Sequence, residues 1–239
     1  MKLTILMYHK IDEIPPDARY PGNYVSPEQF AQQLDALLEW GYQTINFDEW
    51  LRYRSGGSWR FLARPVIITF DDGYTCFDRN AWPALRQRGM TATVFLVAGQ
   101  IGGTNAWDSD ERQERLLDAR RIRELQNEGV RFGSHSLTHL PLARVPERQA
   151  MRELSESRTR LGDLLDAPPD VFAYPFSNQN AEVRRLAHEA GYLAAVRGGG
   201  RMNTRRTDPY GLRRIKPEPD MTIAQLRRIL FFERYFSIS

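Results

Sequence analysis

The sequence is poor in cysteine and has no long apolar run, and these absences exclude several classes of protein. Cys76 is the only cysteine among the 239 residues, so no internal disulfide can form and nothing requires an oxidising compartment. No segment approaches the roughly 20 consecutive apolar residues that a membrane helix needs. The net charge of +3 is too small and too scattered to indicate binding to nucleic acid.

The remaining composition is that of a globular protein. Hydrophobic residues make up 41% of the chain and charged residues 26%, which excludes a disordered or fibrous chain. We expect one domain over residues 1–239. The apolar run at 3–8 is too short for a signal peptide, and no small-residue cleavage site follows it. If Met1 is the native start, we therefore expect a cytoplasmic protein.

Short apolar runs alternate with helical patterns along the whole chain. Strands are predicted over residues 3–8, 65–70, 91–97, 171–174, 193–196 and 212–215, and residues 130–132 are predicted to lead into a loop. Helices are predicted from Pro27 to Gly41, over 81–88, from Asp118 to Gly129, and over 146–166, 183–190 and 223–231. Ser26 and Gln29 are predicted to form a capping box at the first helix. This alternation predicts an α/β fold with a parallel sheet, and a barrel at this length.

Polar residues follow four of the apolar runs. They are His9, the pair Asp71 and Asp72, the pair His135 and His139, and the segment 174–176. In parallel α/β folds the carboxyl ends of strands are where functional sites assemble. We therefore expect these residues to lie near one another.

Two adjacent carboxylates, Asp71 and Asp72, come directly after a predicted strand. Neighbouring carboxylates repel each other, so this pair favours a site in which a cation or a shared proton separates their roles. The alternative is a helix cap with an Asx turn, in which Gly73 supplies a positive φ.

His135 and His139 are four residues apart. On a helical turn this spacing places both imidazoles on one face, within reach of one metal ion. Two histidines and one carboxylate leave coordination positions open, as a catalytic metal site requires. The alternative is structural, with one of the histidines capping a turn.

These motifs resemble those of a known enzyme family. The sequences TFDDG at 69–73 and HSLTH at 135–139 resemble the first two motifs of the polysaccharide deacetylases, carbohydrate esterase family 4, and FAYPF at 172–176 resembles the third. The early Tyr8-His9 pair is similar to the poly-N-acetylglucosamine deacetylase branch, whose barrel is circularly permuted. The resemblance covers most of the chain. It implies a distorted (β/α)7 barrel.

The resemblance also implies a reaction and the residues that perform it. The reaction is metal-dependent hydrolysis of N-acetyl groups on a sugar or glycan, which gives acetate and a free amine. Asp71 would be the general base, the Phe176 N–H would stabilise the oxyanion, and His9 would be the general acid. The alternative for His9 is a histidine satisfied within the core. Asp72, His135 and His139 would bind a divalent ion, with zinc expected ahead of cobalt, nickel or manganese. The implied substrate contacts are Tyr74, Tyr174 and Pro175.

Two departures from the family pattern affect these expectations. Ala173 stands where the third motif commonly has an arginine that orients the base, and Ser177 replaces a glycine. Arg213 or Arg214 is the predicted replacement for that arginine. No histidine follows His188, which lies in a polar helical stretch, so His9 would supply the function of the usual C-terminal histidine motif.

Other functions fit the same residues. An O-acetyl esterase or a cyclic-amide hydrolase would use the same metal and base, and a non-catalytic glycan-binding relative would keep only the barrel. Arginine pairs at 120–121 and 205–206 are usually solvated, but they also suit a diphosphate-linked or anionic glycan, and the expected substrates include lipid-linked glycans. The sequence leaves the oligomeric state open.

Overall fold

Parallel strands and helices alternate along the chain, as the sequence predicts. The computed structural model describes residues 2–57, 64–200 and 202–235. The strands are β1 (Lys2–Tyr8), β2 (Lys10–Ile11), β3 (Tyr24–Val25), β4 (Gln43–Thr44), β5 (Pro65–Phe70), β6 (Thr93–Leu96), β7 (Arg131–Ser134), β8 (Val171–Ala173), β9 (Ala194–Arg197), β10 (Asn203–Thr204) and β11 (Leu212–Arg213). The helices are α1 (Pro27–Glu39), α2 (Phe47–Arg54), α3 (Trp82–Gln87), α4 (Ala119–Asn127), α5 (Glu147–Leu165), α6 (Ala181–Glu189) and α7 (Ile223–Tyr235).

The main sheet is a barrel wall in the order β10-β1-β5-β6-β7-β8-β9-β11, with β4 attached to the start of β5. Along this order, each strand from β1 through β11 pairs in parallel with the next one, whereas β10 pairs antiparallel with β1. The wall closes where the chain beyond β11 meets β1. There the Met7 N–H donates to the Ile215 carbonyl at 2.9 Å, and the Ile215 N–H donates to the Ile5 carbonyl at 2.8 Å. The predicted barrel is therefore confirmed.

Alternate residues of the strands face the inside of this barrel. Leu3 and Ile5 of β1 belong to the same buried cluster as Ile67, Phe95 and residues of β8, β9 and β11. Phe47 and Trp50 of α2 join this cluster, so α2 packs against the barrel interior. Successive side chains of a strand point to opposite faces of the sheet, so the remaining strand residues face outward and pack against the surrounding helices. Among the residues described, no helix is long and apolar enough to cross a membrane.

The sequence did not predict β7, and the loop predicted after residues 130–132 is wrong. Gly133 and Ser134 give this strand no apolar pattern, although both are buried. A Cβ atom at position 133 would lie 2.5 Å from ring carbons of Phe95 and 2.9 Å from the Val171 carbonyl oxygen. The neighbouring strands therefore occupy the space that a larger side chain would need.

The substitution Gly133→Ala is expected to destabilise the fold. The added methyl would force Phe95 or the backbone at Val171 to move, and such overpacking costs about 1–3 kcal/mol. Urea denaturation monitored by circular dichroism measures the change. An unchanged unfolding midpoint would mean that the wall can expand here without cost.

The start of α1 also differs from the prediction. Ser26 caps the helix by accepting a hydrogen bond from the Gln29 N–H at 3.2 Å, as predicted. The Gln29 side chain donates instead to the Met221 carbonyl at 2.9 Å, so the predicted capping box is wrong. A complete capping box is present between Asn46 and Glu49 at α2, a helix that was not predicted from the sequence. The short strands β2, β3, β4 and β10 were also not predicted.

Candidate active site

Side chains from separate strand ends meet at the carboxyl edge of the barrel. Asp71 follows β5, and its N–H donates to the Tyr8 carbonyl at the end of β1 at 2.9 Å. His135 follows β7, and its N–H donates to the Leu96 carbonyl at the end of β6 at 2.8 Å. The parallel ladder therefore brings distant polar residues together, as the sequence predicts.

Asp72, His135 and His139 form a compact buried cluster. The Nε2 atoms of His135 and His139 lie 3.4 and 3.3 Å from Asp72 Oδ1. One ligand atom from each residue lies within 4.8 Å of the other two. Within the described part of the chain, Asp72 Oδ1 is buried without a hydrogen-bond donor. Two imidazole nitrogens and a carboxylate oxygen suit a divalent ion such as Zn²⁺ and leave positions open. These residues therefore fit a catalytic metal ion.

Hydrogen bonding and burial prepare His135 for this role. Its Nδ1 lies 2.8 Å from the Ala173 carbonyl oxygen. A proton on Nδ1 would be donated to that carbonyl and would leave the Nε2 lone pair directed at the cluster. Burial lowers the pKa of His135 to about 4, although Asp71 and Asp72 oppose this shift. The ring is therefore neutral near pH 7, as a metal ligand must be.

The two histidines do not lie on a helical turn, so that part of the sequence interpretation is wrong. Ser136 and His139 have φ values of 68° and 65°, in the left-handed region. The Ser136 hydroxyl accepts a hydrogen bond from the His139 N–H at 2.9 Å. The loop therefore turns back on itself, and this conformation brings both imidazoles to Asp72.

Arg214 holds Asp71 in a buried, bidentate ion pair. Its Nη1 and Nη2 each donate to one carboxylate oxygen of Asp71 at 2.6 Å, and its Nη1 also donates to Thr69 Oγ1 at 3.1 Å. Arg214 is 1% exposed. Of the two arginines that the sequence offered, Arg214 is thus the one that contacts Asp71.

The charges around Asp71 set its ionisation. Burial alone raises the pKa of Asp71, but the positive charge of Arg214, the neighbouring His135 and the hydrogen bonds from Arg214 outweigh burial. The pKa of Asp71 therefore lies below its ordinary value. Asp71 is ionised at neutral pH beside the Asp72 cluster.

Replacing Arg214 with methionine is expected to destabilise the protein by about 3–5 kcal/mol, because it leaves the buried Asp71 charge without its partner. Urea denaturation at neutral pH measures the loss. The matched control is Arg213→Met, which removes a half-buried arginine at the adjacent position. Equal losses for both variants would contradict a specific role for the Arg214 pair.

The stretch of sequence that contains Asp71, Asp72, His135 and His139 matches one protein family. The Polysaccharide deacetylase family model matches residues 61–195. The chain belongs to this family. YxkH of Bacillus subtilis (strain 168), whose name assigns it to the polysaccharide deacetylases, is 28% identical over 223 residues, which is 92% of this chain and 73% of YxkH. The poly-beta-1,6-N-acetyl-D-glucosamine N-deacetylase of Staphylococcus aureus (strain MSSA476) is 26% identical over 179 residues, which is 71% of this chain and 59% of that longer protein.

Solved structures of deacetylases share the barrel. Streptococcus pyogenes deacetylase PplD, in complex with acetate, superposes with a TM-score of 0.83 at 25% identity and covers 96% of this chain and 98% of PplD. IcaB from Ammonifex degensii superposes with a TM-score of 0.78 at 25% identity and covers 95% of this chain and 96% of IcaB. These likenesses extend over nearly the whole chain and agree with the distorted (β/α)7 barrel expected of this family.

In this member of the polysaccharide deacetylase family, His9 lies at the edge of the site. Its Nε2 is 4.0 Å from Asp71 Oδ2. Burial lowers the pKa of His9, while the charges of Asp71 and Asp72 oppose this shift. Its Nδ1 has no hydrogen-bond partner among the described residues. The alternative of a satisfied core histidine is therefore not supported.

The aromatic residues near the site divide into buried and exposed groups. Tyr174 was expected to contact substrate, but its side chain is buried and donates to the Tyr210 carbonyl at 3.0 Å. Tyr74, another expected contact, is buried with Lys10 Nζ 4.6 Å from its ring centroid, and Pro175 is buried as well. All three side chains are buried, so their contact with substrate stays a prediction.

Two other aromatic rings flank His139. The Trp107 ring centroid lies 4.5 Å from that of His139, and the Phe176 ring centroid lies 4.7 Å from it. Phe176 is 60% exposed and has a φ of 56°. Phe176 and Trp107 are therefore the aromatic residues that the structure places beside a candidate metal ligand.

The arginines considered for a diphosphate-linked or anionic glycan are partly engaged within the protein. Arg121 forms ion pairs with Asp78 at 2.6 Å and with Glu128 at 2.9 Å, and Arg120 lies 3.3 Å from Glu124. These carboxylates lie on α4 itself, at its C-terminal end and, for Asp78, on the helical segment before α3. His188, expected to be solvated, is exposed on α6.

Proposed function

We propose that this chain is a metal-dependent hydrolase that removes N-acetyl groups from a sugar or glycan. The observation that carries the proposal is the separation of two adjacent carboxylates into different environments. Asp72 faces the imidazoles of His135 and His139, whereas Asp71 is held by Arg214. One carboxylate is thus placed to hold a cation and the other to accept a proton. As part of this proposal, residues 1–239 act as one catalytic domain.

Asp72, His135 and His139 would hold the divalent ion. We expect zinc, with cobalt, nickel and manganese as alternatives. When bound, such an ion polarises the acetyl carbonyl and lowers the pKa of water in its shell.

Asp71 would act as the general base. It is ionised at neutral pH, and both of its oxygens are oriented by Arg214. It accepts a proton from the water molecule that attacks the acetyl carbon. Positioned proton transfer of this kind contributes typically about 10²–10⁴-fold to a rate.

His9 and Phe176 would complete the reaction. The Phe176 N–H donates to the oxyanion of the tetrahedral intermediate, a contribution of about 10²–10³-fold in comparable sites. The nitrogen leaves only once it is protonated, and His9 in its protonated, imidazolium form donates that proton. The carbon–nitrogen bond then breaks, which gives acetate and the free amine of the sugar.

One group of relatives supports an N-acetyl substrate. The Staphylococcus aureus relatives are named as N-deacetylases of poly-beta-1,6-N-acetyl-D-glucosamine. PplD, solved in complex with acetate, supports deacetylation without distinguishing N- from O-acetyl groups. Oligomers of β-1,6-linked N-acetylglucosamine are therefore the first substrates to test. Lipid-linked N-acetylated glycans are the second.

The test compares acetate release from N-acetylated and O-acetylated sugars, with and without prior removal of metal by a chelator. We expect acetate and free amine from the N-acetylated sugars, loss of release after chelation and recovery with zinc. Release from O-acetylated sugars alone would favour the esterase. Glycan binding without any release would favour a non-catalytic relative.

A further inference from the structure

Glu153 is a buried carboxylate on α5 that the proposed reaction does not use. It is 4% exposed. Its Oε2 accepts hydrogen bonds from the Leu137 N–H at 2.9 Å and the Thr138 N–H at 2.8 Å. Its Oε1 accepts a hydrogen bond from the Thr138 hydroxyl at 2.6 Å. All three donors therefore belong to the two residues before His139.

The loop that Glu153 binds is strained. Ser136 and His139 both have a positive φ, which costs free energy in residues other than glycine. Such a conformation persists only where the surrounding structure enforces it. The N–H group of Leu137, a buried residue, would also be costly without an acceptor. Glu153 accepts from this group and from the Thr138 N–H at once.

The opposite side of the loop is held by the segment after β6. The Ala98 N–H donates to the Ser136 carbonyl at 3.0 Å, and the Gly99 N–H donates to the Leu137 carbonyl at 2.8 Å. A Cβ atom at position 99 would lie 2.5 Å from the Leu137 carbonyl oxygen, so this close approach requires glycine. The loop is thus held through its carbonyls on one side and through its amides, by Glu153, on the other.

We propose that Glu153 is a positioning residue for the candidate metal centre. Its carboxylate holds the 135–139 loop in the conformation that directs the imidazoles of His135 and His139 at Asp72. This inference rests on the proposed function, because it assigns Glu153 to the metal ion that the function needs. Outer groups that orient metal ligands typically contribute about 10–100-fold to metal affinity.

The test measures the zinc affinity of the full chain by competition with a chelating dye. For Glu153→Ala we expect zinc affinity about 10–100-fold below that of wild type in protein that keeps its circular dichroism spectrum. For Glu153→Gln we expect affinity close to wild type, because the amide oxygen still accepts both N–H groups and the amide nitrogen donates to the Thr138 hydroxyl. The matched control is Glu156→Ala on the same helix, where the carboxylate pairs with Arg152 at the surface.

A merely structural role would lower the melting temperature of Glu153→Ala but leave the zinc affinity of the folded protein unchanged. Wild-type affinity in folded Glu153→Ala therefore overturns the inference alone. Wild-type protein that binds none of zinc, cobalt, nickel and manganese overturns the proposed function and this inference with it.

If Glu153→Ala does not fold, Thr138→Val replaces it in the test, because it removes only the hydroxyl donor. We expect it to weaken zinc binding by about two- to tenfold, the equivalent of one hydrogen bond. Unchanged affinity in Thr138→Val would then overturn the inference.

Discussion

Replacing Asp71 with asparagine is expected to lower kcat by about 10²–10⁴-fold while the metal content of the protein stays unchanged. Asparagine keeps the shape of the side chain and one oxygen that accepts from Arg214, but it leaves the buried Arg214 charge without its partner, so the variant is assayed at a temperature where its circular dichroism spectrum matches that of wild type. The amide cannot accept the proton of the attacking water, so the chemical step is lost. Acetate release gives kcat, and elemental analysis gives the metal content.

The matched control for this experiment is Asp163→Asn, an equivalent change at an exposed position of α5. It should leave both kcat and metal content at wild-type values. Wild-type turnover in Asp71→Asn would contradict the assignment of Asp71 as general base. Loss of metal in Asp71→Asn would mean that Asp71 is a ligand.

The same substitution one residue later is expected to give a different pattern. Asp72→Asn should lower zinc affinity by at least about 100-fold, because a neutral amide replaces the carboxylate that faces both imidazoles at 3.3 and 3.4 Å. Turnover should fall in parallel and recover in part when zinc is added in excess. Zinc content after dialysis and the dependence of kcat on zinc concentration measure these effects.

Together the two variants provide a sharp test of the site. Both replace one oxygen of adjacent carboxylates with an amide nitrogen, so their steric effects are closely matched. If Asp72→Asn retains its metal and Asp71→Asn loses it, the two roles are reversed. If both variants behave alike, the separation of roles on which the proposed function depends is wrong.

The sequence predicted the elements that carry a continuous apolar signal. The strands β1 and β5 are buried along nearly their whole length, so their apolar residues run without interruption. The strand β7 was missed because Gly133 and Ser134 carry no such signal. Its place in the wall depends on the Phe95 ring beside it, which belongs to another strand.

The sequence also predicted which residues would meet at the candidate site, but not the conformation of the loop that brings them there. Asp72, His135 and His139 follow strands whose carboxyl ends share one edge of the barrel, so their convergence follows from the order of elements. The left-handed residues in the 135–139 loop are not visible in the sequence. They depend on contacts with Glu153 and Gly99, which lie in other elements.

The sequence by itself determined the α/β class, the family and the residue types of the candidate site, because each follows from local apolar patterns and short motifs. The tertiary structure decided which arginine holds Asp71 and which aromatic residues reach the surface of the site. Leu212 lies in the cluster inside the barrel, and alternation along the chain places Arg214 on that same side and Arg213 on the other. Arg214 meets Asp71 across 143 residues of sequence because the register of the barrel wall aligns them. That register is set where the wall closes between Ile215 and β1, and no local pattern in the sequence encodes it.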